Sequence, residues 1–217
     1  MGMVQEEIKG IIFDLDGVLV FTDHYHYLAW KKMADRIGVY FDESINNRLR
    51  GVSRMASLEI ILEHYSGPAL TEEEKTSLAE EKNGYYRELL WQMIPDSVTP
   101  QVRQTLAELR RRGYKLAIGS SSKNTRTILE RTELLDAFDA ISDGTNITHS
   151  KPDPEVFLKA ASFLGLSPEN CAVIEDAEAG IDAARAGGML AVGIGEAAKY
   201  AKTQQAIGTF EALLELF

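Results

Sequence analysis

The chain carries Asp14-Leu15-Asp16-Gly17-Val18 immediately after the apolar run Ile11-Ile12-Phe13. Two carboxylates, two residues apart, thus stand at the end of a buried strand, the edge at which open α/β sheets bind their ligands. A carboxylate held there is poorly solvated and lies beside backbone groups that can hold a metal. Such a residue can attack phosphorus while the second Asp moves a proton. An isolated Asp-x-Asp is usually a turn or a pair of surface acids. The strand before this one and the glycine after it argue for chemistry.

Three further stretches follow in order. Ser120-Ser121-Ser122 comes after the apolar run Leu116-Ala117-Ile118. Small hydroxyl residues and free backbone N–H groups at that place can bind phosphate at a helix start. Lys151 lies in Ser150-Lys151-Pro152-Asp153-Pro154, where two prolines stiffen the loop around the ammonium. Glu175-Asp176 closes the apolar run Cys171-Ala172-Val173-Ile174 and offers hard oxygen ligands suited to Mg²⁺.

The elements needed to position these groups are legible. A short strand over about residues 10–13 is followed by about seventy residues of helical pattern with no convincing strand. Leu28, Met33 and Ile37 mark a first apolar stripe, ended by Gly38; Ile45 and Leu49 follow. Leu58, Ile61, Leu62 and Tyr65 form the next stripe, stopped by Gly67-Pro68, and Thr71-Glu72-Glu73-Glu74 predicts a capping box opening a helix to about Met93. From Pro95 onward strands and helices alternate. Strands are predicted at 115–119, 139–142, 171–174 and 190–194, with helices between them, one over about 123–134. This alternation predicts an α/β protein, a Rossmann-like parallel sheet covered on both faces, interrupted after its first strand by an inserted helical cap. The predicted core is 1–19 with 93–217, and the predicted cap is 20–92.

At 217 residues, 45% hydrophobic and 26% charged, the composition is that of a globular protein with one core domain and a smaller insert. No apolar run is long enough to span a bilayer, and the N-terminal stretch has no signal-peptide pattern. A single cysteine, Cys171, points to a reducing cytoplasm. The net charge of −10 argues against nucleic acid as a partner. It also opposes an anionic substrate, so local cations must overcome the background field. Arg50, Arg54, Lys82, Lys123, Lys151 and a bound divalent ion are the candidates. No Gly-x-x-x-x-Gly-Lys-Ser/Thr loop occurs, which argues against nucleotide processing. His64 and His149 lack metal-ligand spacing and read as surface residues.

The four strand-end features, in this order, resemble the haloacid dehalogenase superfamily of phosphotransferases, and the resemblance covers nearly the whole chain. It implies Asp14 as the nucleophile that becomes an aspartyl phosphate and Asp16 as general acid/base. Ser120 and Lys151 match the family's phosphate-binding pair. Asp14, Asp16 (through its backbone carbonyl), Glu175 and Asp176 match its Mg²⁺ ligands.

Within that family, the insert resembles the cap of the β-phosphoglucomutases. The residues that carry this likeness are His24-Tyr25-His26-Tyr27-Leu28-Ala29-Trp30, Gly51-Val52-Ser53-Arg54 and its continuation to Ser57, Glu81-Lys82-Asn83, and Ser120 to Asn124. It implies that Gly51, Val52, Ser53, Arg54 and Ser57 form a cap sugar-phosphate site in which Arg54 grips the phosphate not being transferred. His26 and Lys82 would couple binding to closure, with Thr22 at the hinge. Ser121, Ser122, Lys123 and Asn124 would face the substrate from the core. Trp30 is read either as cap packing or as cleft lining. The implied reaction interconverts β-glucose 1-phosphate and glucose 6-phosphate through a glucose bisphosphate. The implied partner is a phosphorylated sugar, with no nucleic acid or membrane, and the expected state is a monomer. A phosphatase acting on a sugar phosphate or other small phosphomonoester is the alternative, since it would share every core residue. Three positions depart from the pattern: Phe21 for Asp in the hinge segment, Arg50 for Lys, and Ala177 for Ser after Asp176.

Overall fold

The computed structural model describes residues 7–49 and 53–217, which divide into two compact units. One runs through Phe21 and resumes over Ile94–Phe217; the other is Thr22–Met93.

The first unit is built on a six-stranded parallel sheet. Its strands are β1 (Gly10–Phe13), β2 (Lys115–Gly119), β3 (Ala140–Ser142), β4 (Cys171–Glu175), β5 (Leu190–Gly193) and β6 (Gln205–Ala206). Their order is β3-β2-β1-β4-β5-β6, so the chain reverses its direction of growth between β1 and β4. In open sheets that switch point opens a crevice outside the carboxyl ends of the strands. β1 and β4 are buried along their full length, as expected of central parallel strands. Alternate side chains point to opposite faces. Ile12, Ala117 and Val173 therefore pack with Val156, Phe157 and Ala160 of α7 (Glu155–Leu164) and Ile181 and Ala184 of α8 (Glu178–Ala186). Phe13 turns the other way and meets the rings of Phe138 and Phe210.

Two helices precede these in the sheet unit, α5 (Pro100–Arg111) and α6 (Thr125–Arg131). α6 is shorter than the pattern over 123–134 suggested. At its start Ser122 Oγ accepts the N–H of Asn124, and at its end Glu133 turns left-handed at φ 53°. β6 was not predicted; two residues carry no periodicity to read.

The second unit is a helical bundle of α1 (Asp23–Arg36), α2 (Glu43–Asn47), α3 (Arg54–Leu62) and α4 (Glu72–Leu90). Local chemistry sets the starts of α2 to α4. Asp42 caps α2, Ser53 caps α3, and Thr71 with Glu74 forms the expected capping box, both reciprocal bonds being present. The core of the bundle holds Trp30, Met33, Phe41, Leu58, Ile61 and Leu78. α3 stops at Leu62, one turn before the end of its apolar stripe.

Candidate active site

Strand register assembles the core site. Phe13 pairs with Ile118 on one side and Ile174 on the other, so Asp14, Gly119 and Glu175 stand one step further along three adjacent strands. Asp14 N–H still donates to Ile174 C=O at 2.9 Å, which ties the aspartate to the switch point. Past it the chain turns tightly. Leu19 and Val20 N–H groups return to Leu15 C=O, and Gly17 N–H donates to Val20 C=O. Gly17 has φ 86°, and a Cβ there would lie 2.0 Å from Asp176 Oδ2. Only glycine allows both that backbone and the approach of the Asp176 carboxylate.

Lys151 reaches into this edge. Its Nζ donates to Asp14 Oδ1 at 2.5 Å and to Glu175 Oε1 at 2.5 Å, with the ammonium 4.6 Å from the centre of the Phe157 ring. Glu175 Oε2 accepts the N–H of Ala177 at 2.9 Å, so the departure from Ser at 177 leaves this backbone bond in place. The loop before Lys151 is stapled by side chains. Asn146 Oδ1 accepts from Ser142 Oγ and Asp143 N–H, and Glu155 Oε2 accepts the N–H groups of Thr148 and His149.

The cluster is short of positive charge. Burial first, then Asp14 and Glu175, act on Lys151; the two carboxylates outweigh the burial, so the ammonium stays protonated above its ordinary range. Burial pushes Asp14 well above the usual carboxylate range; Lys151 opposes that shift and Glu175 reinforces it. Asp176 is pushed up to about 7, by burial and then by Glu175. Oxygen atoms of Asp14, Glu175 and Asp176 all lie within 4.8 Å of one another. Three carboxylates against one ammonium, offering only hard oxygen donors, fit a divalent Mg²⁺-like ion.

Ser120 is buried beside this edge. Its N–H donates to Ser142 C=O and its Oγ accepts from Ser122 N–H. Asn124 is buried, whereas Ser121 and Lys123 are exposed. These two line a cavity of about 530 Å³ with Thr145, Thr148 and Ser150. His149 is exposed, as its sequence context suggested, yet a ring nitrogen comes within 4.8 Å of Asp153 and Glu155 oxygens.

The helical unit gathers a second set. Lys82 Nζ is 2.8 Å from His26 Nδ1 and 4.8 Å from the ring centres of both Trp30 and Tyr86. His26 stacks on Tyr86 at 4.1 Å. Burial, then Lys82 and Arg54, hold this imidazole well below its ordinary range, so it is neutral and its Nδ1 accepts from the ammonium. Thr22 is fully buried, and its Oγ1 accepts from Tyr86 O–H at 3.1 Å. Trp30 belongs to the bundle core. Ser57 is buried one turn into α3, and Ser53 Oγ is engaged by Ala56 N–H as the helix cap. Arg54 donates to Glu80 Oε1 at 2.7 Å and to Asn83 Oδ1 at 3.1 Å. Arg50, Gly51 and Val52 lie outside the described residues.

Sequence reasoning did not find Phe157, Gly180, Tyr86 or Glu80 as parts of these sites. Gly180 left a faint signal, a glycine inside an alanine-rich helix. A Cβ there would overlap the Glu175 side chain, 1.9 Å from its Cδ, so Gly180 makes room for that carboxylate.

Among the described residues, no helix is long and apolar enough to cross a membrane. The family model for haloacid dehalogenase-like hydrolases matches residues 8–188. A β-phosphoglucomutase of Bacillus subtilis is 44% identical over 191 residues, covering 87% of this chain and 84% of that protein. A phosphorylated carbohydrates phosphatase of Thermotoga maritima is 32% identical over 185 residues, 84% of this chain and 82% of that one. The crystal structure of a Clostridium difficile β-phosphoglucomutase superposes with a TM-score of 0.84 at 40% identity, over 95% of this chain and 93% of that chain. With its parallel sheet and its acidic strand ends, the chain is an enzyme of the haloacid dehalogenase-like hydrolase family.

Proposed function

We propose that this enzyme is a sugar phosphate mutase that interconverts β-glucose 1-phosphate and glucose 6-phosphate through an aspartyl phosphate and glucose 1,6-bisphosphate. The observation that carries the reading is the Asp14–Lys151–Glu175 edge of the sheet unit, in a chain whose helical unit sets Lys82 against His26 and Arg54 against Asn83. Similarity to the Bacillus subtilis mutase across both units supports it.

In this reading an Asp14 oxygen attacks phosphorus, and Asp16 protonates the departing sugar oxygen. Asp16 gains that proton in the preceding half-reaction, when the C6 hydroxyl of β-glucose 1-phosphate attacks the phosphoryl group already on Asp14. That attack frees the Asp14 carboxylate and forms the bisphosphate whose C1 phosphate Asp14 then attacks. Lys151 holds positive charge against the nucleophile and the transferring oxygens, and Ser120 binds them. Asp14, Glu175, Asp176 and the Asp16 carbonyl hold Mg²⁺, which supplies the remaining charge neutralisation. Arg54 holds the phosphate that is not reacting, with Ser53, Ser57, Gly51 and Val52 around it. Ser121, Ser122, Lys123 and Asn124 face the sugar phosphate from the sheet unit. Thr22, His26 and Lys82 link binding to closure, which excludes water and favours transfer to sugar over hydrolysis. We place the enzyme in the cytoplasm as a monomer. Cys171, the one cysteine, is buried and its thiol is pushed up to about 11 by that burial, which suits a reducing compartment.

A phosphatase reading is favoured by the likeness to the Thermotoga maritima phosphatase, because the core residues serve hydrolysis equally well. One assay separates the two. Purified protein with Mg²⁺, β-glucose 1-phosphate and a trace of bisphosphate is followed for glucose 6-phosphate and free phosphate together. Glucose 6-phosphate as the main product supports the mutase; free phosphate alone supports the phosphatase and refutes the proposal.

A further inference from the structure

Arg54 opens α3 and spreads its guanidinium between two residues of α4. Glu80 and Asn83 are three apart, so they share a helix face. The two contacts differ in kind. Asn83 is buried and neutral, and it accepts from one terminal nitrogen at 3.1 Å. Glu80 is charged and its side chain is 60% exposed, and it takes the other terminal nitrogen at 2.7 Å. A buried amide acts as a fixed brace. An exposed carboxylate on a flexible stem is an exchangeable counter-ion, because solvent screens most of the pair's attraction. A phosphate brings more charge and more acceptor oxygens to the same nitrogens.

We propose that Glu80 is a resident competitor for the anion site on Arg54, so that an incoming phosphate must displace it while Asn83 keeps the guanidinium aimed. This rests on the reading of Arg54 as a phosphate ligand. Glu80 then sets the affinity of the site and not the rate of chemistry. Competition of this kind reduces affinity by the fraction of Arg54 left open, and by the same factor for every anion that needs the site. For an exposed pair of ordinary strength the factor is about two- to sixfold. Loading of Asp14 from a small donor that makes no use of Arg54 escapes it.

The test is Glu80→Gln, which keeps the volume and removes the charge. KM for β-glucose 1-phosphate and the dissociation constant of inorganic phosphate, by calorimetry on the Mg²⁺-loaded protein, should fall by a common factor of about two to six. The turnover number and the rate of Asp14 phosphorylation by acetyl phosphate should change by less. In an Arg54→Ala background the same substitution should have no effect on either affinity. A rise in KM with a fall in turnover would make Glu80 a positioning residue and overturn the proposal. Unchanged affinities, or a gain that persists without Arg54, would also overturn it. If the parent does not isomerise β-glucose 1-phosphate, the mutase reading fails by itself, and the inorganic phosphate measurement in the two backgrounds still decides the role of Glu80.

Discussion

Replacing Lys151 with Met tests how the sheet unit holds its carboxylates together. The ammonium stands 2.5 Å from an oxygen of Asp14 and 2.5 Å from one of Glu175, and all three side chains are nearly buried. At an effective dielectric constant of about 20, each contact is worth roughly 6–7 kcal/mol of Coulomb attraction. Desolvation of the three charges offsets most of this, and removing one partner of such a cluster costs about 3–5 kcal/mol because the remaining charges are stranded. Methionine keeps most of the packing against Phe157, so the loss is chiefly electrostatic. Melting without metal at pH 8 should therefore fall by roughly 6–20 °C. The pH dependence carries the sharper test. Asp14 already sits well above the usual carboxylate range, because burial outweighs Lys151, and it rises further without the ammonium. A carboxyl raised in the folded state binds protons more tightly there than in the unfolded chain. Stability thus falls as pH rises from the unfolded value through the folded one, and recovers on acidification. The deficit of Lys151→Met should shrink between pH 8 and pH 5, and saturating Mg²⁺ should restore part of it at pH 8. Phosphoryl transfer should drop by about two to three orders of magnitude. Calorimetric or circular-dichroism melts with and without metal, at both pH values, measure this. A deficit identical at both pH values and indifferent to Mg²⁺ would refute the account of Lys151 as the counter-charge.

Asp16→Asn should separate the two chemical steps: slow phosphorylation of Asp14 by acetyl phosphate, followed by phosphorus NMR, survives, while isomerisation falls by about two to four orders of magnitude. Equal loss of both would remove Asp16 from the acid/base role. Gly180→Ala should drive its methyl into Glu175 and cost about 1–3 kcal/mol of stability together with weaker Mg²⁺ binding; unchanged metal affinity would show that Glu175 tolerates displacement. Mg²⁺ affinity should also weaken by up to about tenfold per pH unit below the Asp176 value of about 7, since a proton competes for that carboxylate; calorimetric Mg²⁺ titrations at pH 6 and 8 that agree would contradict this.

The chemistry-bearing ends of the strands were legible from the chain alone because central parallel strands are short, mostly apolar runs that end at or just before the functional residue. Ile11-Ile12-Phe13 before Asp14, Leu116 to Gly119 before Ser120, and Cys171 to Ile174 before Glu175 each announce themselves locally. The caps of the helical unit were equally visible, since Thr71 and Glu74 interact across a single turn. What tertiary structure decided is every relation between residues far apart in the chain. Lys151 and Glu175 both stood out in sequence, but their contact depends on a loop 24 residues away folding back over the sheet. Gly180 matters only because α8 brings it against Glu175, and Gly17 only because the turn after β1 meets Asp176. Arg54 reads as a phosphate ligand from its motif, whereas Glu80 looks like one more acid on a solvated helix until α3 and α4 pack. A residue type and its near neighbours state what chemistry is available; burial, charge balance and pKa arise from side chains that only packing brings together.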